Sequence, residues 1–166
     1  MLRPETVWLW SCRAYQKRIP ALPALLKAVN YFVFRCITPY QARIENDLIL
    51  EHYGLCFVSH PNVEIGRRVR IYHMVTLAAE AVVGSDNKIR IGDDVTIGVG
   101  ASVIARSNRS LRIGNGATIG AGAVVTGDVP DGAVFTGVPA RRLEQGAKVA
   151  AAESQLSAFA TGENLA

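Results

Sequence analysis

Ile91-Gly92-Asp93-Asp94-Val95-Thr96-Ile97-Gly98-Val99-Gly100-Ala101-Ser102-Val103 is the stretch that decides the fold. An aliphatic residue opens a six-residue unit at Ile91, at Ile97 and at Val103. The same phase runs through Ile65, Ile71, Leu77 and Val83 upstream. Downstream it resumes at Ile113, Ile119 and Val125. Two slips of phase separate the blocks, within Ser85 to Arg90 and within Arg106 to Arg112. Glycine follows the aliphatic residue at positions 66, 84, 92, 98, 114 and 120, and the fifth place of each unit is Val, Ala or Ser except at Asn87.

A period of six fits neither an α-helix nor an alternating strand. It fits a chain that turns a corner after each short strand, with three strands closing a triangular coil. The aliphatic residue then points inward and stacks on its counterparts in the coils above and below, while the small neighbour permits the corner. Periods of this kind signal a parallel β-helix, in which each coil buries its apolar edge only against the next. The slips read as loops on a functional or subunit-facing surface.

Outside the repeat, residues 1 to 36 read as two helices, near Thr6 to Arg18 and Leu22 to Arg35, joined at Pro20 and Pro23. Leu22, Leu25, Leu26, Val29 and Val33 recur at helical spacing and are expected to be a packing face. The β-helix is expected over 37–143, and residues 144–166 read as a tail without chemical signal.

The composition narrows the function classes. The chain has 166 residues, 49% hydrophobic and 19% charged, which suits one globular domain with a real core. The net charge of +4 comes without a basic run that would mark a nucleic-acid arm. Three widely spaced cysteines, with no CxxC pair, point to a reducing compartment, the cytoplasm, and to no structural metal. The apolar stretch from Leu22 to Ile37 is too short and too charged to span a bilayer; peripheral membrane contact there stays open.

Several motifs resemble the hexapeptide-repeat acyltransferases, and most of all their serine acetyltransferase-like branch, which includes acetyltransferases of exopolysaccharide synthesis. They are Leu50-Glu51-His52-Tyr53-Gly54-Leu55, His60-Pro61 and Ile71-Tyr72-His73-Met74-Val75-Thr76-Leu77. The closing matches are Ile119-Gly120-Ala121-Gly122-Ala123-Val124-Val125-Thr126, Asp128-Val129-Pro130 and Gly137-Val138-Pro139-Ala140-Arg141. The resemblance implies a left-handed parallel β-helix, all-β apart from its short helical front, and a homotrimer with acetyl-CoA lying in clefts between prisms. It implies acetyl transfer to a hydroxyl of a small molecule or sugar, with serine as the alternative acceptor.

Such a reaction needs a base, and histidine takes up a proton near neutrality. The chain has three histidines. His52 lies in the segment matching the family's catalytic histidine, so it is the expected base. Glu51 beside it is a candidate for the acceptor, and His73 a secondary catalytic candidate one coil on. His60 precedes Pro61 and is expected to shape a turn. For the co-substrate, Gly100, Ala121, Thr126 and Arg141 are the candidates, on a groove from Gly120 to Thr126 with free backbone amides and an arginine suited to phosphate.

Two departures from the serine acetyltransferases bear on the acceptor. The second histidine of that family is missing at Asp86-Asn87-Lys88-Ile89, and Cys36 or Ile37 stands near the aspartate that orients the catalytic histidine. Both favour an acceptor other than free serine. A non-catalytic β-helical scaffold is the alternative of another class. A zinc lyase on the same fold needs a late histidine pair, and no histidine follows His73.

Overall fold

The structure is a computed structural model that describes residues 2–107 and 109–144. Four stacked coils form its body. The first holds β1 (Arg43–Ile44), β2 (Ile49–Leu50) and β3 (Val58–Ser59). The second holds β4 (Val63–Ile65), β5 (Arg70–Ile71) and β6 (Thr76–Ala79). The third holds β7 (Ile89–Ile91), β8 (Thr96–Ile97) and β9 (Ser102–Ala105), and the fourth β10 (Leu111–Ile113), β11 (Thr118–Ile119) and β12 (Val124–Val125). Then β13 (Val134–Thr136) adds to the second face, and β14 (Arg141–Arg142) folds back antiparallel on it.

Every pairing between coils is parallel, and the register follows the six-residue phase. Ile65 aligns with Ile91 and Ile91 with Ile113. Ile71, Ile97 and Ile119 form a second column, and Leu77, Val103 and Val125 a third. All nine are buried, as are the fifth-place residues Val69, Val75, Val95, Ala101, Ala117 and Ala123. Two stacked columns per strand thus fill the prism, and the fold is a mainly β solenoid as the period requires.

Val83 is the exception. It is half exposed, because the first loop begins directly after Ala79 and takes Val83 out of the wall. Asn62 ties this loop down: its amide donates to Val82 O, Ser85 Oγ and Asn87 O and accepts from Gly84 N.

The unit glycines other than Gly84 serve a purpose other than a left-handed corner. A Cβ on Gly98 would lie 2.7 Å from Ala121 N of the next coil, so close stacking excludes a side chain there. The left-handed residue falls two places later, as at Gly100 (φ +67°).

Helices α1 (Pro4–Gln16) and α2 (Leu22–Phe34) close the first coil. Proline opens both, at places where its missing N–H costs nothing. Trp8 is fully buried, packs on Phe57 at 5.6 Å and donates from Nε1 to Pro39 O at 2.8 Å, so α1 plugs the end of the prism. The expected packing face of α2 is not one: Leu25 and Val33 are 61% and 64% exposed, while Pro23 and Asn30 are its buried residues. Asn30 locks α2 to the body by donating to Pro4 O and Thr38 Oγ1. The tail reading at 145–166 lies outside the described residues.

Candidate active site

The chain turns from the second strand of each coil to the third at a corner where one residue adopts positive φ. These residues are Cys56, Met74, Gly100 and Gly122. Their stacking is fixed by Met74 N donating to Leu55 O, Gly100 N to His73 O and Gly122 N to Val99 O. Coils repeat every ~4.8 Å, so this corner is a straight column.

The first coil departs from the pattern. Between β2 and β3 it inserts a tight turn, Glu51–Gly54, in which His52 (φ 52°), Tyr53 (φ 56°) and Gly54 (φ 59°) are left-handed in succession. Left-handed backbone costs a residue with a Cβ roughly 1–2 kcal/mol. Such strain persists where the surroundings over-determine it, and it concentrates at functional sites. Here Cys36 supplies part of the restraint: its buried thiol donates to Gly54 O at 2.8 Å. Burial pushes that thiol up to about 12, so it stays a neutral donor at physiological pH. Tyr53 stacks on Phe34 at 6.4 Å and ties the turn to the end of α2.

That turn carries His52 to the corner column. Its ring meets the ring of His73 edge-on at 4.8 Å, and Tyr72 stands 6.2 Å away. His52 is exposed and His73 half-buried, but Nδ1 of His73 is buried without a hydrogen-bond partner. A buried unpaired imidazole nitrogen costs free energy unless something else supplies its partner. Glu51 turns to the neighbouring strand and pairs with Arg70 at 3.1 Å.

The expected residues therefore separate into groups. His52, His73, Gly100 and Ala121 fall on one corner column. Thr126 sits past β12 at the following corner, and Arg141 lies on β14, its Nη1 donating to Ala140 O at 3.0 Å. Most amides of the Gly120 to Thr126 groove are occupied. Gly120, Gly122, Ala123 and Val124 all donate to backbone carbonyls of the solenoid. His60 shapes a turn: its Nδ1 accepts from Asn62 N at 3.0 Å. Sequence reading missed Tyr72, Cys36 as an anchor and Arg70 as the partner of Glu51. Tyr72 lay within a matching motif; the other two are visible only once the coils are stacked.

Among the described residues, the more prominent grooves of the single chain lie away from the histidine corner. A groove of about 1200 Å³ lies on the opposite sheet, among Arg43, Glu64, Arg67 and Arg90, and holds neither His52 nor His73.

No family model matches the chain. The serine acetyltransferase of Mycobacterium tuberculosis is 43% identical over 82 residues, which cover 49% of this chain and 34% of that protein. Among solved structures, the serine acetyltransferase of Neisseria gonorrhoeae superposes with a TM-score of 0.76 at 33% identity, over 85% of this chain and 53% of that one. The soybean serine acetyltransferase apoenzyme gives 0.75 at 31%, over 84% and 56%. The Brucella abortus serine acetyltransferase in complex with coenzyme A gives 0.75 at 25%, over 83% and 53%. The chain is thus similar to serine acetyltransferases in sequence and fold, and it spans between a third and just over half of the length of these relatives.

Proposed function

We propose that this chain is an acetyl-CoA-dependent O-acetyltransferase with His52 as its general base. The observation that carries this reading is His52, held on a strained turn and meeting His73 of the next coil, at the head of a corner column lined by Gly100 and Ala121. His52 accepts the acceptor's hydroxyl proton as the oxygen attacks the thioester carbonyl. The C–S bond breaks, and the proton passes to the departing thiolate of CoA. His73 holds the acceptor or the His52 ring through its unpaired Nδ1.

Support for the CoA path comes from the side chains that the corner lacks. Val99 and Ala121 have no oxygen with which to cap the amide one coil before, so the outward N–H groups of His73 and Val99 are open to a pantetheine arm. Arg141 then meets phosphate at the far end. Similarity to serine acetyltransferases favours serine over a sugar as acceptor, although Cys36 and the Asp86 to Ile89 stretch depart from that family. A thiol-release assay with acetyl-CoA, run against serine and a sugar panel, tests this. Release with serine alone supports the reading, and release with sugars alone transfers it to a sugar acceptor.

We also propose a homotrimer in the cytoplasm. The outward face of the third sheet carries Val58, Thr76, Ser102 and Val124 in one column with Ala78 and Ile104 beside it, all half-buried in the single chain, and offers a mostly apolar contact with two hydroxyls. A neighbour would enclose the histidine corner. Light scattering that finds an active monomer at micromolar concentration overturns this.

A further inference from the structure

Helix α2 has two sides of opposite fate. Pro23 and Asn30 face the body and are buried. Leu22, Leu25, Leu26, Val29, Phe32 and Val33 fall within an arc of about 120° at 3.6 residues per turn. Phe32 is 68% exposed, with Leu25 and Val33 close behind, while Leu22, Leu26 and Val29 on the same stripe are half-buried. No described helix is long and apolar enough to cross a membrane.

The charge of the chain lies where this stripe is. Residues 1–36 contain six basic side chains (Arg3, Arg13, Lys17, Arg18, Lys27, Arg35) and one acid, Glu5. They carry a surplus of five positive charges against four for the whole chain, so the rest is nearly neutral. Glu5 is buried and pairs with Arg3 at 3.0 Å, which leaves the solvated charge of this region purely positive. Lys17, Arg18 and half-exposed Ile19 precede the N-terminal end of the stripe, and exposed Arg35 caps the other end.

We propose that α2 docks this protein on an anionic lipid surface, lying in the interface with its apolar stripe inserted and the cations at both ends against headgroups. An apolar stripe with flanking cations is what an interfacial helix needs, and each cation near an anionic leaflet adds attraction that salt weakens. A second copy of this chain is a worse occupant, because stacking one positive front on another sets like charges together. The site proposed above would then stand beside the membrane, an arrangement independent of which hydroxyl it acetylates.

Co-sedimentation of the full chain with vesicles of phosphatidylcholine containing phosphatidylglycerol tests this. Binding is expected to the anionic vesicles, to fall with added salt, and to be weak on pure phosphatidylcholine. Leu25→Glu with Phe32→Glu should weaken it about ten-fold or more, and Lys17→Glu with Arg18→Glu to a similar extent. Acetyl-CoA binding by each variant verifies folding. A Phe32→Trp chain, which keeps the stripe, should be quenched by brominated lipid more than its parent. Absent binding by the unaltered chain overturns the proposal, as does equal binding by the folded stripe variant. A stripe variant that lowers the particle mass in light scattering while vesicles leave the unaltered chain unbound assigns the stripe to a second copy.

Discussion

Two corners flank the sheet of β2, β5, β8 and β11, and the backbone solves them in the same way. At the first, Arg68, Asp94, Gly116 and Gly132 take positive φ; at the second, Cys56, Met74, Gly100 and Gly122 do. Their side chains differ completely. At the first, Asp93 Oδ1 accepts from Arg67 N, Asn115 Oδ1 from Asp93 N and Asp131 Oδ1 from Asn115 N. Each coil thus caps the outward amide of the one before, and Arg68 pairs with Asp94 at 2.6 Å beside them. At the second corner the matching residues are His73, Val99 and Ala121, which offer no such ladder. One corner satisfies its own polar groups and is finished as structure. The other has no such ladder and leaves a buried nitrogen of His73 without a partner among the described residues.

The largest expected effect separates these corners by kinetics. His52→Ala should lower kcat by about 10²–10⁴ while leaving acetyl-CoA binding nearly intact, since a positioned base contributes that much. Asp93→Ala on the sealed corner should leave kcat unchanged in the same thiol-release assay. If His73→Ala loses the activity and His52→Ala keeps it, the base is His73.

Both corners hang on one core, so a core change should ignore the difference between them. Ile97 is fully buried in the middle of its column. Ile97→Ala should cost about 2–5 kcal/mol in urea unfolding. Ser102, which points outward and is half-buried, should cost well under that when changed to Ala. Equal small losses would mean that the stacking columns are misassigned.

A transplant tests why the second corner is left open. Ala121→Asp gives it the side chain that Asn115 and Asp131 supply at the first. The new carboxylate should cap the Val99 amide, leave the melting temperature unchanged or slightly raised, and weaken acetyl-CoA binding about ten-fold by occupying the amide and repelling phosphate. Unchanged binding would remove the corner amides from the CoA path. The reverse change, Asp93→Ala, should cost about 1 kcal/mol of stability for one lost cap.

The solenoid was legible because its signal is local. A six-residue phase needs no knowledge of what lies above or below, and Ile65 to Val125 kept it in all but Val83. That residue fitted the phase by chance, since the loop had already left the wall. Other features were illegible for the opposite reason. The Asx ladder joins residues a full coil apart in sequence, although the Gly92-Asp93 and Gly114-Asn115 pairs hinted at it. The left-handed run places His52 and Tyr53, both with a Cβ, before its one glycine, Gly54, so no residue announced it; Cys36 and Phe34, from the end of the helical front, help hold it. The α2 stripe has ordinary helical spacing, which says that a face is apolar but not what covers it. The groove from Gly120 to Thr126 looked open because glycine and alanine were read as bare backbone, whereas the coils claim most of those amides.

His60 sharpens the contrast on the smallest scale, because it belongs to neither corner. It lies between β3 and β4, where the chain turns toward the next coil, and its Nδ1 accepts from Asn62 N. Burial holds its pKa below the usual imidazole range. A histidine so placed favours the fold while neutral. Its contribution is fully present above the unfolded pKa of about 6.5 and declines as pH falls below that toward the lower folded value. Protonation would also take away the acceptor that Asn62 needs, and Asn62 anchors the loop from Val82 to Asn87. His60→Ala should therefore leave kcat unchanged and cost about 0.5–1.5 kcal/mol at neutral pH for one hydrogen bond. Its urea midpoint should then converge on that of the unaltered chain as the pH is lowered through the histidine range. A difference that stays constant with pH would show that His60 acts by packing alone, and a fall in kcat would return it to the list of catalytic residues.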